Sequence, residues 1–162
     1  PPFSSRRRHT RCSRWSRGLG DVYKRQVVEL LPQVIDWLAT GLVPLSAELN
    51  NQQRLVITQG DIYRRLEGPV DKLFDVILID VDHSPDERLD DKSHGFYTTE
   101  GLMAARRHLA AGGVLAIWSY AESSPFADAL HSVFEQVDVK PVTYDNHLID
   151  EQLTDWLFFA RG

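Results

Sequence analysis

The sequence has 162 residues and a single cysteine, Cys12, so no internal disulfide can form and a disulfide-stabilised secreted scaffold is excluded. One thiol also argues against a zinc site of the usual cysteine and histidine type, and we assign no metal ligands. No uninterrupted apolar run approaches the roughly 18 residues of a membrane-spanning helix, which excludes an integral membrane protein. No Walker-type phosphate-binding loop is present, so a nucleoside triphosphatase is not expected. We expect a single-domain cytoplasmic protein.

Charge is divided unevenly along the chain. Residues 1–26 contain eight basic residues and one acid, a net charge of +7, whereas residues 27–162 contain 10 basic and 22 acidic residues, a net charge of -12. Such an abrupt change indicates two segments of different origin or role. The acidic body argues against nucleic-acid binding and favours small cationic partners such as amines.

The basic segment, residues 1–26, has no helical or strand periodicity and almost no aliphatic side chains, which predicts disorder. Its composition is typical of a plain tail, an organelle transit peptide or an arginine-rich nucleic-acid-binding arm. The strings FSSRRRHTRC and DVYKRQ, however, resemble translated sequencing-adapter DNA fused in frame to a truncated gene. We interpret residues 1–26 as a non-native leader and residues 27–162 as a partial catalytic domain.

The body alternates apolar runs, which predict strands, with apolar residues at helical spacing, which predict helices. The predicted strands are 27–30, 54–58, 74–80, 114–118, 137–143 and 155–160, and the predicted helices are 33–40, 62–66, 100–109 and 126–136. Residues 41–53 are predicted to be a loop. The near-continuous apolar strand at 74–80 favours a parallel strand covered on both faces. The alternation predicts an α/β fold with a Rossmann-like, doubly wound, mostly parallel sheet and helices on both faces.

Ligands of such sheets bind beyond the carboxyl ends of the strands, where four polar clusters of this sequence are expected. They are Glu29, Gly60–Asp61, Asp80–His83 and Ser119–Glu122. Glu29, between a strand and a helix, can accept hydrogen bonds from both hydroxyls of a ribose. Asp61 can cap the helix that follows it, and it can also accept an adenine amino group while Ile62 covers the ring.

Asp80 and Asp82 end the central predicted strand, and His83 follows them. Neighbouring carboxylates repel one another, which raises the pKa of one of them and makes a general base plausible. The same acids could hold a cation or bind an amine electrostatically. Residues 86–91 are predicted to be a solvated acidic loop.

Together these residues resemble the spermidine synthase (polyamine aminopropyltransferase) family over nearly all of residues 27–162. The stretches that carry the resemblance are Val28–Glu29, Gly60–Asp61, Phe74–Asp80, Phe96–Thr98, Leu109–Leu115 and Ala121–Phe126. The strand–acid and GGVL features are shared with class I methyltransferases generally. The Asp80 loop, Phe96–Tyr97 and Glu122–Ser123 favour the spermidine synthase branch.

The resemblance implies decarboxylated S-adenosylmethionine as co-substrate, with its ribose on Glu29 and its adenine near Asp61 and Ile62. Asp80 corresponds to the catalytic carboxylate that orients and deprotonates the attacking amine. The implied substrate-binding residues are Asp82, His83 and Tyr97. The implied partner is a small-molecule amine in polyamine biosynthesis, without a nucleic-acid or membrane partner, and a homodimer is compatible with the family.

Two departures from the family keep alternatives open. Family members usually carry a second Asp three residues after the catalytic one, where this chain has His83. The family's glycine-rich first strand and turn belong upstream of Val27, but residues 1–26 contain only Gly18 and Gly20. The alternatives are an S-adenosylmethionine-dependent methyltransferase and a catalytically silent member that binds nucleosides or partners.

The absence of the family's first strand also predicts weak stability or aggregation of this chain, because the edges of the strands beside it would be exposed.

Overall fold

The computed structural model describes residues 24–81, 83–87 and 95–162. Its elements in chain order are β1 (Arg25–Glu29), α1 (Pro32–Ala39), α2 (Ser46–Asn50), β2 (Leu55–Gln59), α3 (Ile62–Glu67), β3 (Phe74–Ile79), α4 (Thr99–Arg106), β4 (Leu109–Ser119), α5 (Ser124–Val133), β5 (Gln136–Asn146) and β6 (Glu151–Arg161). They form two compact units, one up to Ile62 and one from Tyr63. Within the described ranges, no helix is long and apolar enough to cross a membrane. Residues 1–23 of the predicted leader lie outside these ranges.

The first unit is built on a parallel pair of strands. The register of β1 and β2 aligns Arg25 with Leu55 and Glu29 with Gln59, so the two strands end together. β1 begins at Arg25, two residues before the predicted joint at Val27, because backbone pairing and not side-chain apolarity sets its start. The one-turn helix α2 occupies part of the stretch predicted to be a loop, where Leu45 precedes it with a left-handed φ of 69°.

The second unit contains a four-stranded sheet in the order β3–β4–β6–β5. β3 pairs parallel with β4, while β6 pairs antiparallel with β4 and with β5. The strands predicted at 137–143 and 155–160 are thus antiparallel neighbours in the sheet. β4 begins at Leu109, five residues before the predicted strand at 114–118. It includes Gly112, which has a φ of 71°, and its register with β3 shifts between Leu109 and Val114.

The two faces of this four-stranded sheet differ in exposure. Ile77 and Phe158 on one face are 8% and 0% exposed, and the Phe126 ring of α5 packs edge-on against Phe158 at a centroid distance of 5.1 Å. On the other face of β3, Val76 and Leu78 are 46% and 68% exposed. The prediction that β3 is covered on both faces is therefore wrong for this chain. Both faces are apolar, but helix α5 packs on only one of them.

The start of α4 is fixed by a close backbone approach and a side-chain cap. The Thr98 hydroxyl accepts a hydrogen bond from the Gly101 amide and donates one to the Gly95 carbonyl, at 3.3 and 2.8 Å. A Cβ atom on Gly101 would lie 2.1 Å from that same carbonyl oxygen, so only glycine fits there. This packing fixes the turn at residues 95–98, which carries two aromatic side chains of the candidate site.

Candidate functional site

Two of the predicted polar clusters meet at the carboxyl end of the β1–β2 pair. The Gly60 amide donates a hydrogen bond to the Glu29 carbonyl at 2.9 Å, so Glu29 and the residues after β2 are neighbours. The Glu29 side chain accepts a hydrogen bond from the Leu31 amide at 2.7 Å, and its remaining lone pairs can still accept hydroxyl donors. Asp61 and Ile62 follow Gly60 and are half-buried. The first unit therefore brings the three predicted cofactor-binding residues, Glu29, Asp61 and Ile62, to one end of its sheet.

Asp80 lies directly after β3 and is exposed. Because β3 and β4 are parallel, the carboxyl end of β3 shares one edge of the sheet with the residues that follow β4. That edge is where ligands bind in sheets of this kind. The structure thus agrees with the predicted position of Asp80, while Asp82 lies outside the described residues.

The other predicted substrate-binding residues belong to an aromatic cluster formed by Tyr63, His83, Phe96 and Tyr97. The His83 and Tyr97 rings are perpendicular, with centroids 5.5 Å apart. The Tyr63 hydroxyl lies 3.1 Å from the Tyr97 hydroxyl and 3.5 Å from Nε2 of His83. Tyr63 and Phe96 pack with ring centroids 5.2 Å apart. The structure therefore brings His83 and Tyr97 together and adds Tyr63 as the residue that joins them.

Burial controls the ionisation of Tyr97. His83 and Tyr97 are only 2% and 6% exposed. Burial raises the pKa of Tyr97, and the hydrogen bond with Tyr63 offsets part of that rise. Tyr97 is consequently a neutral hydroxyl at physiological pH. The cluster is a wall of aromatic rings that carries the neutral Tyr97 hydroxyl, and its His83 follows the exposed Asp80 closely in sequence.

The segment after Asp80 is anchored to the segment after β4 by two hydrogen bonds. Ser123 Oγ donates to Asp86 Oδ1 at 2.7 Å, and the Tyr120 hydroxyl donates to the Glu87 carboxylate. The hydrogen bond that Tyr120 donates to Glu87, together with the negative charge of Glu87, raises the pKa of Tyr120. Asp86 and Glu87, which were predicted to lie in a solvated loop, are exposed as expected. They are nevertheless hydrogen-bonded, because Ser123 and Tyr120 of the segment after β4 donate to them.

Sequence reasoning missed Tyr63 and the Ser123–Asp86 pair. Tyr63 stands in the first turn of a short helix, where nothing in the local pattern distinguishes a buried tyrosine from a surface one. The role of Ser123 as a helix N-cap could have been predicted, because a serine followed by Ser124 and Pro125 is a typical helix start. Among the residues that the structure describes, no group of three or more His, Cys, Asp or Glu side chains is arranged to hold a metal ion.

No protein-family model and no curated protein matches this sequence. Solved structures do. A probable spermidine synthase from Corynebacterium glutamicum is 24% identical with a TM-score of 0.61, over 90% of this chain and 51% of that one. A spermidine synthase in complex with the transition-state analogue AdoDATO is 16% identical with a TM-score of 0.60, over 84% of this chain and 43% of that one. An S-adenosylmethionine-dependent O-methyltransferase from Thermotoga maritima is 16% identical with a TM-score of 0.59, over 93% of this chain and 54% of that one.

The likeness is one of architecture, since the identities are low. This chain spans about half the length of the solved structures it matches. Its strand–helix alternation, parallel pairings and antiparallel closing strands agree with the predicted Rossmann-like α/β class. The chain has the fold shared by spermidine synthases and class I S-adenosylmethionine-dependent methyltransferases.

Proposed function

We propose that the whole protein transfers an aminopropyl group from decarboxylated S-adenosylmethionine to a small amine. The amine nitrogen attacks the aminopropyl carbon bonded to the sulfonium sulfur, a nitrogen–carbon bond forms, and the carbon–sulfur bond breaks. Methylthioadenosine leaves with the electron pair of the broken bond. The proton lost by the amine passes to a carboxylate and then to water, which balances the reaction.

The observation that carries this proposal is the exposed carboxylate of Asp80 at the carboxyl end of β3, beside a segment that contributes an aromatic wall. A carboxylate there can accept a hydrogen bond from the amine, orient its lone pair and take its proton. His83 and Tyr97, which are only 2% and 6% exposed, then support the acceptor site from beneath its surface, and Asp82 is the further substrate-binding residue of this proposal. Sulfonium is a good leaving group, so positioning and electrostatics supply most of the rate enhancement.

Donor binding is assigned to Glu29, Asp61 and Ile62. Glu29 is proposed to accept hydrogen bonds from the ribose hydroxyls, and Asp61 with Ile62 to bind the adenine. Two observations support this assignment: Glu29 and Gly60 are hydrogen-bonded neighbours at the strand ends, and a related fold was solved with AdoDATO. The net charge of -12 over residues 27–162 favours a donor without the carboxylate that S-adenosylmethionine carries.

The test compares Asp80→Asn with Asp75→Asn in the whole protein. Asp75 is an exposed carboxylate on the same strand, at the end away from the proposed site. Aminopropyl transfer to a panel of amines is followed by mass spectrometry. Asp80→Asn is expected to lower kcat/KM about 100- to 10,000-fold, the usual contribution of a general base, and to leave methylthioadenosine binding intact. Asp75→Asn is expected to be active, and undiminished turnover by Asp80→Asn would show that the base is misassigned.

An S-adenosylmethionine-dependent methyltransferase is the second candidate, because the T. maritima O-methyltransferase matches nearly as well as the spermidine synthases. Calorimetric titration with S-adenosylmethionine and with its decarboxylated form separates the two functions. Tighter binding of the carboxylated donor would favour methyl transfer. Binding of neither donor would favour a catalytically silent member. Cytoplasmic location and a homodimer stay predictions from the sequence.

A further inference from the structure

Asp86 and Glu87 are engaged by the protein itself. Asp86 accepts a hydrogen bond from the Ser123 hydroxyl at 2.7 Å, and Glu87 accepts one from the Tyr120 hydroxyl. Both donors follow β4, whereas both acceptors follow β3. Two adjacent carboxylates therefore link the segment after β3 to the segment after β4. Each of them could also have bound a cation.

Ser123 has two roles at this junction. Its side-chain oxygen accepts a hydrogen bond from the Phe126 amide at 3.2 Å, which makes Ser123 the N-cap of α5. Its hydroxyl also donates a hydrogen bond to Asp86. Ser123 is 2% exposed, so water competes little for either bond. The negative charge of Asp86 lies near the N-terminus of α5, where the helix dipole favours an anion.

Residues 83 and 84, just before this anchor, are buried. His83 and Ser84 are 2% and 3% exposed, and His83 packs against the Tyr97 ring. The Glu87 amide donates to the Ser84 carbonyl at 3.0 Å, which closes a tight turn just before the anchor. The described segment 83–87 is thus held by the aromatic cluster at one end and by the anchor at the other.

We propose that Ser123 and Asp86 are positioning residues for the acceptor side of the transfer reaction, a proposal that rests on the proposed function. Their hydrogen bond fixes segment 83–87 before substrate arrives, so that the wall formed by His83 and Tyr97 is already in place. Because the segment is already ordered, binding of the amine costs less conformational entropy, and the amine is held in a productive geometry.

Two substitutions at one position separate the anchor from the helix cap. Ser123→Asn and Ser123→Asp both keep a side-chain oxygen that can cap α5, and they are nearly equal in size. Asn also has an N–H donor for Asp86, whereas Asp sets a second carboxylate against it. A purely structural role at the cap would affect the two variants alike.

The kinetic readout is KM for the amine and kcat, measured on the whole protein. Ser123→Asp is expected to raise KM for the amine about 10- to 100-fold, the effect of losing a hydrogen bond to a charged group, with a smaller change in kcat. Ser123→Asn is expected to stay within about threefold of wild type, a margin small against that effect. Methylthioadenosine affinity should be the same in all three proteins. Equal KM values for the two variants would overturn the proposal.

Amide hydrogen exchange of residues 83–87 gives a readout that needs no activity. Exchange is expected to be faster in Ser123→Asp than in Ser123→Asn, and Asp86→Ala should reproduce the faster rate even if Ser123→Asp fails to fold, because Asp86 is exposed. If wild type transfers no aminopropyl group but the exchange difference is present, the proposed function fails and the anchor stands. Identical exchange in Asp86→Ala and wild type would disprove the anchor itself.

Discussion

The two units follow the same local pattern, strand–helix–strand with parallel strands, yet only one of them has a core. In the first unit, Val27 and Val56 on the paired strands are 45% and 57% exposed, and Trp37 of α1 is 51% exposed. In the second unit, Leu115 of β4 and Phe158 of β6 are completely buried. The alternation of strands and helices, together with strand pairing, therefore specifies the secondary structure, but it does not by itself bury apolar side chains.

The difference follows from what each sheet is packed against. In the second unit α4 and α5 contact each other, and the guanidinium of Arg106 in α4 donates to the Val133 carbonyl of α5 at 2.7 Å. Together they cover a sheet of four strands. Two strands and two short helices offer too little surface to enclose any apolar side chain, and among residues 24–62 the one buried residue is Ser46. Burial contributes roughly 25 cal/mol per Å² of apolar surface, so the stability of the chain resides in the second unit.

The strongest test of this comparison replaces one large aromatic side chain in each unit. Phe158→Ala is expected to lower the free energy of unfolding by about 3–5 kcal/mol, because it leaves a cavity in a packed core. Trp37→Ala, at a half-exposed site, is expected to cost about 1 kcal/mol or less. Urea denaturation of the 162-residue chain measures both. An equal cost for the two variants would mean that the first unit has a core as well.

A smaller effect is expected from adding a single methyl group to a glycine in each unit. Gly101→Ala should cost about 1–3 kcal/mol, because its Cβ would overlap the Gly95 carbonyl oxygen at 2.1 Å. In Gly60→Ala the nearest atom to the new methyl is Val28 Cγ1 at 3.6 Å, an ordinary contact, so stability should change by about 0.5 kcal/mol or less. Thermal denaturation would contradict the comparison if Gly101→Ala melted at the wild-type temperature.

The smallest effect on stability is expected at the exposed strand surface of the first unit. Val56→Thr preserves the branched shape, so the free energy of unfolding should change by about 0.5 kcal/mol or less. Self-association of the chain, measured by sedimentation velocity, should decrease, since apolar strands with unpaired edges promote aggregation. Ile79→Thr, at a site only 2% exposed, is the matched change in the second unit and should cost more than about 1 kcal/mol. Unchanged self-association of Val56→Thr would show that this strand surface does not mediate self-association.

Much of the fold could be predicted because it is encoded locally. The apolar run at Phe74–Ile79 predicts a strand whatever surrounds it, and Asp80 is assigned to the ligand-binding edge because it follows that run. Gly112–Gly113 was harder, since adjacent glycines suit a helix end and a bent strand equally well. Pairing with β3 on both sides of the glycines, at Leu109 and again from Val114, decides between the two.

The contacts that organise the candidate site could not be predicted in this way. Asp86 and Ser123 are 37 residues apart, and Tyr63 and Tyr97 are 34 apart. Each pair depends on how strands and helices pack, which no local pattern specifies. Exposure of the second face of β3 was missed for a related reason, since Leu78 is as apolar as the buried Ile79 beside it.

The strand order of the second unit has a consequence for synthesis on the ribosome. β6 lies between β4 and β5, although it is the last of the three to be made. Until residue 161 has left the exit tunnel, β4 and β5 have no strand to join them, and Phe126 lacks the Phe158 ring on which it packs. The nascent chain must therefore carry α4 and α5 with their apolar faces uncovered. The interval between synthesis of α5 and synthesis of β6 is therefore the period in which the nascent chain is most exposed to misassociation.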